Sequence, residues 1–124
     1  MNHFFVIGLG GGLGSVARWL ISKFLNPFVT HGFPWGTFLV NLVGCFLIGI
    51  LGGVLTREGS SESTKLFWIT GFLGGFTTFS TFSLESLTLL MSGESLLGLA
   101  YIGATLAGTL TAAWAGIWMT RYIL

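Results

Sequence analysis

The sequence has very few charged residues. Of its 124 residues, five are Lys or Arg and four are Asp or Glu, which gives a net charge of +1. Soluble domains usually have about a quarter of their residues charged, so this chain cannot cover a globular surface with polar groups. Nucleic acid is also excluded as a partner, because no cluster of Lys and Arg is present to neutralise phosphates.

Cysteine and histidine are scarce too. The single Cys45 has no second cysteine in the chain for a disulfide. His3 and His31 are isolated from any second residue at metal-ligand spacing. No serine has a His or Asp arranged to activate it. The sequence therefore offers no candidate for an enzyme active site.

Hydrophobic residues make up 52% of the chain and are gathered into four long segments. These cover approximately residues 4–25, 37–56, 66–91 and 96–122. Each is close to the about 20 residues that a helix needs to cross the hydrocarbon core of a bilayer. The sequence predicts an all-α membrane protein, a single domain over residues 1–124 with four transmembrane helices.

Three connections separate these segments. Residues 26–36 contain Asn-Pro, His-Gly and Pro-Trp-Gly, which are typical of a loop. Thr37 is then a candidate N-cap for the second helix. Residues 57–65 are hydrophilic, and residues 92–95 are predicted to form a short turn.

The charges that flank the four spans show little asymmetry. Both termini and residues 57–65 lie on the same side of a four-span protein. That side carries Arg57, Lys65 and Arg121, and the other carries Lys23 and Arg18. The positive-inside rule sets orientation from such counts, so a small difference allows insertion in both orientations. This favours an antiparallel dimer.

Small residues recur every four positions along three of the segments. Such stripes let helix backbones approach closely in lipid, and the bland interpretation is packing alone. They comprise Gly8 and Gly12, Gly10 and Gly14, Gly49 and Gly53, and Ala104, Gly108, Ala112 and Gly116.

Residues 71–85, GFLGGFTTFSTFSLE, interrupt the third segment with glycines and hydroxyl side chains. Lipid leaves no main-chain group unpaired, so such a stretch is tolerated only where protein or water covers it. Membrane proteins use the exposed ends of broken helices to hold ions. The sequence predicts a break at mid-membrane and a functional centre there. Phe76, Phe79 and Phe82 follow at spacing three, which is also ordinary helix packing.

Polar side chains inside the predicted spans need a physical reason, because an ionisable group at the membrane centre costs roughly 2.5–3.5 kcal/mol. Arg18 either snorkels to the interface or lines a wet vestibule that attracts anions. Asn41 is expected to hydrogen-bond across helices. Glu85 could pair with a cation, orient hydroxyls or cap a helix. Thr105 and Thr109 share a face, and bonding back to their own helix is the default.

Three segments together resemble a known family. They are GGGLGSVARW at residues 10–19, PWGTFLVNLVG at residues 34–44 and GFLGGFTTFSTFSLE at residues 71–85. Over essentially its whole length the chain resembles the Fluc (CrcB) fluoride channels. The resemblance implies a fluoride-selective channel in the bacterial inner membrane that exports cytoplasmic fluoride passively.

The resemblance also implies an assembly and an ion. Members of this family are antiparallel homodimers with two fluoride pathways and a structural Na⁺ at the dimer centre. In this chain, the main-chain carbonyls of Gly74 and Thr77 from both subunits are expected to hold that Na⁺. The partners implied are fluoride, sodium, the lipid bilayer and a second copy of the chain.

The expected anion pathway follows from the same resemblance. Fluoride is strongly hydrated, so neutral donors such as amide N–H and hydroxyl groups must replace its water. Aromatic rings have a positive edge that can face an anion without trapping it. The pathway residues implied are Asn41, Phe79, Phe82, Ser80, Thr81, Thr105, Thr109, Arg18 and Glu85.

Two other functions remain open from the residues alone. A small multidrug-type cation antiporter also has four spans and often inserts in both orientations. Proton-coupled export generally needs a titrating carboxylate in the membrane, and the first carboxylate of this chain is Glu58. The other alternative is a structural subunit that does not conduct.

Overall fold

The structure, a computed structural model, describes residues 2–25, 32–57 and 59–124, which are helical apart from short connections. The elements are α1 (His3–Leu25), α2 (Trp35–Leu55), α3 (Glu62–Lys65), a π-helix (Leu66–Leu73), α4 (Gly74–Phe76), α5 (Phe79–Met91) and α6 (Ser95–Tyr122). Among these residues, α1, α2 and α6 are long and apolar enough to cross a membrane. The prediction of an all-α protein with a broken third helix is confirmed.

The start of α2 differs from the sequence prediction. The helix begins at Trp35, and Pro34 (φ −76°) is its N-cap. Thr37 therefore lies inside the first turn, and its predicted N-cap role is wrong. A proline suits the start of a helix, because its φ is already close to helical and its missing N–H would have no partner there. Of the predicted loop, residues 26–31 lie outside the described residues.

The hydrophilic connection is shorter than predicted. Residues Glu62–Lys65 form a helical turn that continues into the π-helix, and the Ser61 hydroxyl accepts a hydrogen bond from the Thr64 N–H at 3.1 Å. A serine N-cap satisfies one of the free donors at a helix start. Glu58, which was expected in this loop, lies outside the described residues.

The first half of the third apolar segment is a π-helix over eight residues, Leu66–Leu73. Such wide turns are rare and are often found near functional sites. The helix returns to α geometry at Gly74, whose N–H bonds to the carbonyls of both Gly71 and Ile69. The hydrophobic pattern of the sequence did not predict this element.

Glycines let the main chain of α1 pack directly against the main chain of the π-helix. A Cβ at Gly10 or Gly14 would overlap main-chain atoms of the third apolar segment, including the carbonyl group of Phe72 at Gly14. By contrast, a Cβ at Gly8 or Gly12 meets nothing within 4 Å. Of the two glycine stripes on α1, only the second is thus used for packing within the described part of one chain.

Helices α2 and α6 lie side by side, and glycines also let their main chains pack closely. Gly49 and Gly116 face each other so closely that a Cβ on either would overlap the other helix. Further along, Gly53 lies against the side chain of Thr120. Arg57 then donates to the Thr120 carbonyl at 2.8 Å. A basic side chain on the last carbonyls of a helix stabilises its negative end.

We predict that Gly14→Ala destabilises the protein while Gly12→Ala does not. The added methyl at Gly14 must displace the main chain of the third apolar segment, and such overpacking costs about 1–3 kcal/mol. Thermal unfolding of the purified proteins in detergent measures the difference. Gly12→Ala is the matched control, since it is the same substitution on the same helix. Equal unfolding temperatures for the two variants would contradict this packing.

Candidate functional site

The third apolar segment breaks at Thr77 and Thr78. Helix α4 ends at Phe76, both threonines are extended (ψ 156° and 122°), and α5 begins at Phe79. The Thr78 hydroxyl accepts from the Thr81 N–H at 3.2 Å and so caps the second half. The Thr77 hydroxyl donates to the Leu73 carbonyl at 2.9 Å and so pairs one of the last carbonyls of the first half.

Asn41 on α2 holds the break in place. Its Nδ2 donates to the Thr78 carbonyl at 2.9 Å, and its Oδ1 accepts from the Thr78 N–H at 2.8 Å. The amide is 7% exposed. One side chain therefore satisfies both main-chain groups of an extended residue, as a neighbouring strand would.

Arg18 lies at the break itself. Its Nε donates to the Gly75 carbonyl at 3.0 Å, and the Ser15 hydroxyl donates to the same oxygen at 3.5 Å. A cation at the carbonyl end of a helix is electrostatically favourable. The side chain is anchored on protein main chain, which the sequence did not indicate.

Two carbonyls at the break have no such partner. Apart from the hydrogen bonds internal to the helices, none among the described residues is donated to the carbonyl of Gly74 or of Thr77. Main-chain oxygens at a helix end carry partial negative charge and suit a hard cation. No group of three or more His, Cys, Asp and Glu in the described ranges could hold a metal instead.

A cavity of about 210 Å³ lies beside the break, between α2, α5 and α6. The rings of Phe79 and Phe82 line it with their centroids 5.6 Å apart. Phe82 is 7% exposed and Phe79 is 74% exposed in the single chain. The full lining is Asn41, Cys45, Thr77, Thr78, Phe79, Phe82, Thr105, Leu106 and Thr109.

The two threonines of α6 in this cavity behave differently. The Thr109 hydroxyl donates to the Thr105 carbonyl at 2.6 Å, which is the default within a helix. The Thr105 hydroxyl is buried and has no hydrogen-bond partner among the described residues. A buried donor without a partner costs about 1–3 kcal/mol. A bound species that accepts a hydrogen bond would remove that cost.

Glu85 lies further along α5, in a network of its own. Its carboxylate accepts from the Thr37 hydroxyl at 2.6 Å and from the Tyr101 hydroxyl at 3.3 Å. Tyr101 is fully buried and packs on Phe82, with 5.3 Å between the ring centroids. Glu85 thus orients two hydroxyls, one of the three alternatives left open by the sequence. Neither Thr37 nor Tyr101 was identified as a site residue from the sequence.

The remaining hydroxyls of the motif gather around the cap of α5. The hydroxyls of Ser80 and Thr81 lie 3.3 Å and 3.2 Å from the Thr78 hydroxyl. The cavity thus brings together Asn41, Thr77, Phe79, Phe82, Thr105 and Thr109, while Arg18, Gly74, Ser80, Thr81 and Glu85 do not line it.

Comparison with known proteins places the chain in a family. Residues 5–117 match the family model described as CrcB-like protein, Camphor Resistance (CrcB). The chain belongs to the CrcB family. The resemblance drawn from the sequence is therefore confirmed. With three helices long and apolar enough to cross a membrane among its described residues, the chain is a multi-pass membrane protein of bacterial type.

Curated relatives of this CrcB chain share one name, "Fluoride-specific ion channel FluC". The protein from Rhizobium meliloti (strain 1021) is 44% identical over 98% of both chains. The protein from Flavobacterium psychrophilum is 44% identical over 94% of this chain and 95% of its own. The protein from Chlorobium chlorochromatii is 43% identical over 98% and 94%. The chain is thus similar to these channels over nearly its whole length.

We predict that Asn41→Asp destabilises the break. The carboxylate can still accept from the Thr78 N–H, but it loses the donor to the Thr78 carbonyl and places an oxygen against that oxygen. Leaving that carbonyl unpaired costs about 1–3 kcal/mol. The unfolding temperature in detergent should fall accordingly. Thr109→Val is the control, because that hydroxyl bonds only within its own helix; an unchanged midpoint for Asn41→Asp would contradict the prediction.

Proposed function

We propose that this chain is a fluoride channel that lets cytoplasmic fluoride leave the cell passively. The name carried by its relatives supports this function. The observation that supports it within the chain is the buried Thr105 hydroxyl, which lacks a hydrogen-bond acceptor in a cavity lined by neutral groups. A small anion that accepts hydrogen bonds is what this cavity fits.

The chemistry of the cavity suits fluoride in particular. Fluoride gives up its water only to donors that replace the lost hydrogen bonds. Thr105 has its hydroxyl proton to offer, and Asn41 has a second amide N–H beyond the one on Thr78. The edges of Phe79 and Phe82 add positive potential without a formal charge. Conduction needs binding that is weak enough for release, so neutral groups serve better than Lys or Arg.

The polar residues outside the cavity lining are assigned supporting roles. Arg18 supplies positive charge at the break, where it attracts the anion. Ser80 and Thr81 extend the hydroxyl cluster at the start of α5. Within the lining itself, Thr109 extends the polar track on α6. Glu85 holds the hydroxyls of Thr37 and Tyr101 beside Phe82. This arrangement places hydroxyl groups on either side of the phenylalanine pair.

The functional unit is proposed to be an antiparallel homodimer in which each chain crosses the membrane four times, the broken helix being the third span. Phe79 is 74% exposed at the break in the single chain. Main chain that leaves helical geometry at membrane depth, as at Thr77 and Thr78, must also be covered by protein or water. A second, inverted copy would cover it, and the weak charge asymmetry of the loops supports such an orientation.

A structural Na⁺ is proposed at the centre of that dimer. Apart from hydrogen bonds internal to the helices, the Gly74 and Thr77 carbonyls have no donor in the described part of the chain, so two copies would offer four oxygens to one ion. Na⁺ supplies positive charge there that balances the converging carbonyl dipoles. The cation antiporter considered from the sequence is not favoured, since the curated relatives carry the name of a channel.

We predict that Phe79→Ile and Phe82→Ile each reduce fluoride efflux by about tenfold or more while the protein still assembles, because isoleucine lacks the positive ring edge. Efflux from liposomes loaded with potassium fluoride and opened to K⁺ by valinomycin measures the rate. Phe4→Ile is the control, since Phe4 is 87% exposed at the start of α1. Unchanged flux in both pore variants would remove these rings from the pathway.

We predict that chains insert in both orientations. A cysteine introduced as Ser60→Cys in a Cys45→Ala background marks the loop between α2 and α3. A membrane-impermeant maleimide applied to intact cells or sealed vesicles should then label roughly half of the protein, and the rest should react only after permeabilisation. Labelling that is complete from one side would show a single orientation and exclude the antiparallel dimer.

We predict that exchange of Na⁺ for N-methyl-D-glucamine during purification lowers the unfolding temperature, and that returning Na⁺ restores it. An ion that binds only the folded state stabilises that state. The organic cation is the control for ionic strength and is too large for a carbonyl cage. An unfolding temperature that is indifferent to Na⁺ would count against the site.

A further inference from the structure

We infer that Cys45 is a thiol in the wall of the anion path, where a soft metal ion such as Hg²⁺ binds and closes the path. This inference rests on the proposed function, because it concerns the same cavity. It gives the chain an inhibitory ligand class, thiophilic metals, that is separate from fluoride and sodium.

The position of Cys45 on α2 directs it toward the break. It lies one helical turn after Asn41, so the two residues share a face, and both line the cavity. Gly44, which directly precedes Cys45, also lies on the side of α2 that faces the break, because a Cβ there would overlap the side chain of Thr77. Cys45 itself is only partly buried, so a ligand in the cavity can reach its sulfur.

The cavity has room for a ligand, and a hydroxyl without a partner lies in the wall opposite the thiol. Its volume is about 210 Å³, several times the about 30 Å³ that one water occupies in the liquid. The Thr105 hydroxyl in the opposite wall is 5% exposed and has no partner in the described part of the chain. The space is therefore built to be occupied rather than closed by packing.

The sulfur is the only soft donor in that space. The other lining groups are an amide, hydroxyls, main chain and hydrocarbon, and the sequence contains no second cysteine. Soft thiolate ligands select soft metal ions, whereas the oxygens of this cavity bind them poorly. A thiophilic metal that enters the cavity therefore binds at Cys45.

Mercuric chloride gives a balanced reaction at this site. The sulfur of Cys45 attacks mercury, an S–Hg bond forms, and one Hg–Cl bond and the S–H bond break. The product is the neutral adduct S–Hg–Cl, and chloride and a proton leave. No oxidant is needed. The adduct occupies a cavity through which single small anions pass, so it blocks the path sterically.

The test compares the wild-type protein with Cys45→Ala and Cys45→Ser in liposomes loaded with potassium fluoride. Each protein is normalised to its own untreated efflux rate. We expect stoichiometric mercuric chloride to slow wild-type efflux by about tenfold or more, because the adduct obstructs the path, and excess dithiothreitol to restore the rate by removing the mercury. Both variants should keep their untreated rates. Intact-mass spectrometry should show one mercury adduct on the wild type and none on either variant.

Three results would overturn the inference. They are the absence of an adduct on the folded wild-type protein, an adduct that leaves efflux unchanged, and equal inhibition of the cysteine-free variants. If the untreated wild-type vesicles carried no fluoride, the proposed function would be wrong, and with it the claim that this thiol lies in a path. Adduct formation at Cys45 would then still show whether the cavity admits the metal.

Discussion

The pairing of Asn41 with Thr78 is the interaction on which the rest of the site depends. A helix that breaks inside lipid leaves main-chain N–H and C=O groups that must find partners in the protein. The Asn41 amide provides one acceptor and one donor to the same residue. Without it both main-chain groups of the extended Thr78 would lose the partners that they have in the structure.

The break makes two kinds of group available, main-chain carbonyls on one side and hydroxyls and phenyl rings on the other. The half of the helix before the break ends in main-chain carbonyls. The Gly75 carbonyl accepts from Arg18, while those of Gly74 and Thr77 have no donor among the described residues apart from hydrogen bonds internal to the helices. The half after the break begins with hydroxyls and phenyl rings that face a cavity. Negative dipoles suited to a cation thus lie next to neutral donors suited to an anion. The proposed channel uses both.

Two features of the sequence predicted the class of fold and the place of the break. Long apolar runs report the thickness of the membrane, and GFLGGFTTFSTFSLE is unsuited to lipid-exposed helix. The sequence did not predict the π-helix, because an extra residue per turn leaves no clear mark on hydrophobic periodicity. It misassigned Thr37 as an N-cap, since the hydroxyl's actual partner, Glu85, lies on another helix. Contacts between helices become visible only when the helices are placed together. The same is true of a hydroxyl that is left without a partner, such as that of Thr105.

Halide selectivity of the purified wild-type protein tests the central claim most directly. Liposomes loaded with equal potassium fluoride and potassium chloride, and opened to K⁺ by valinomycin, would be followed with electrodes for both anions. A path of neutral donors sized for one small anion predicts rapid loss of fluoride with chloride retained. Loss of both anions at similar rates would contradict the account.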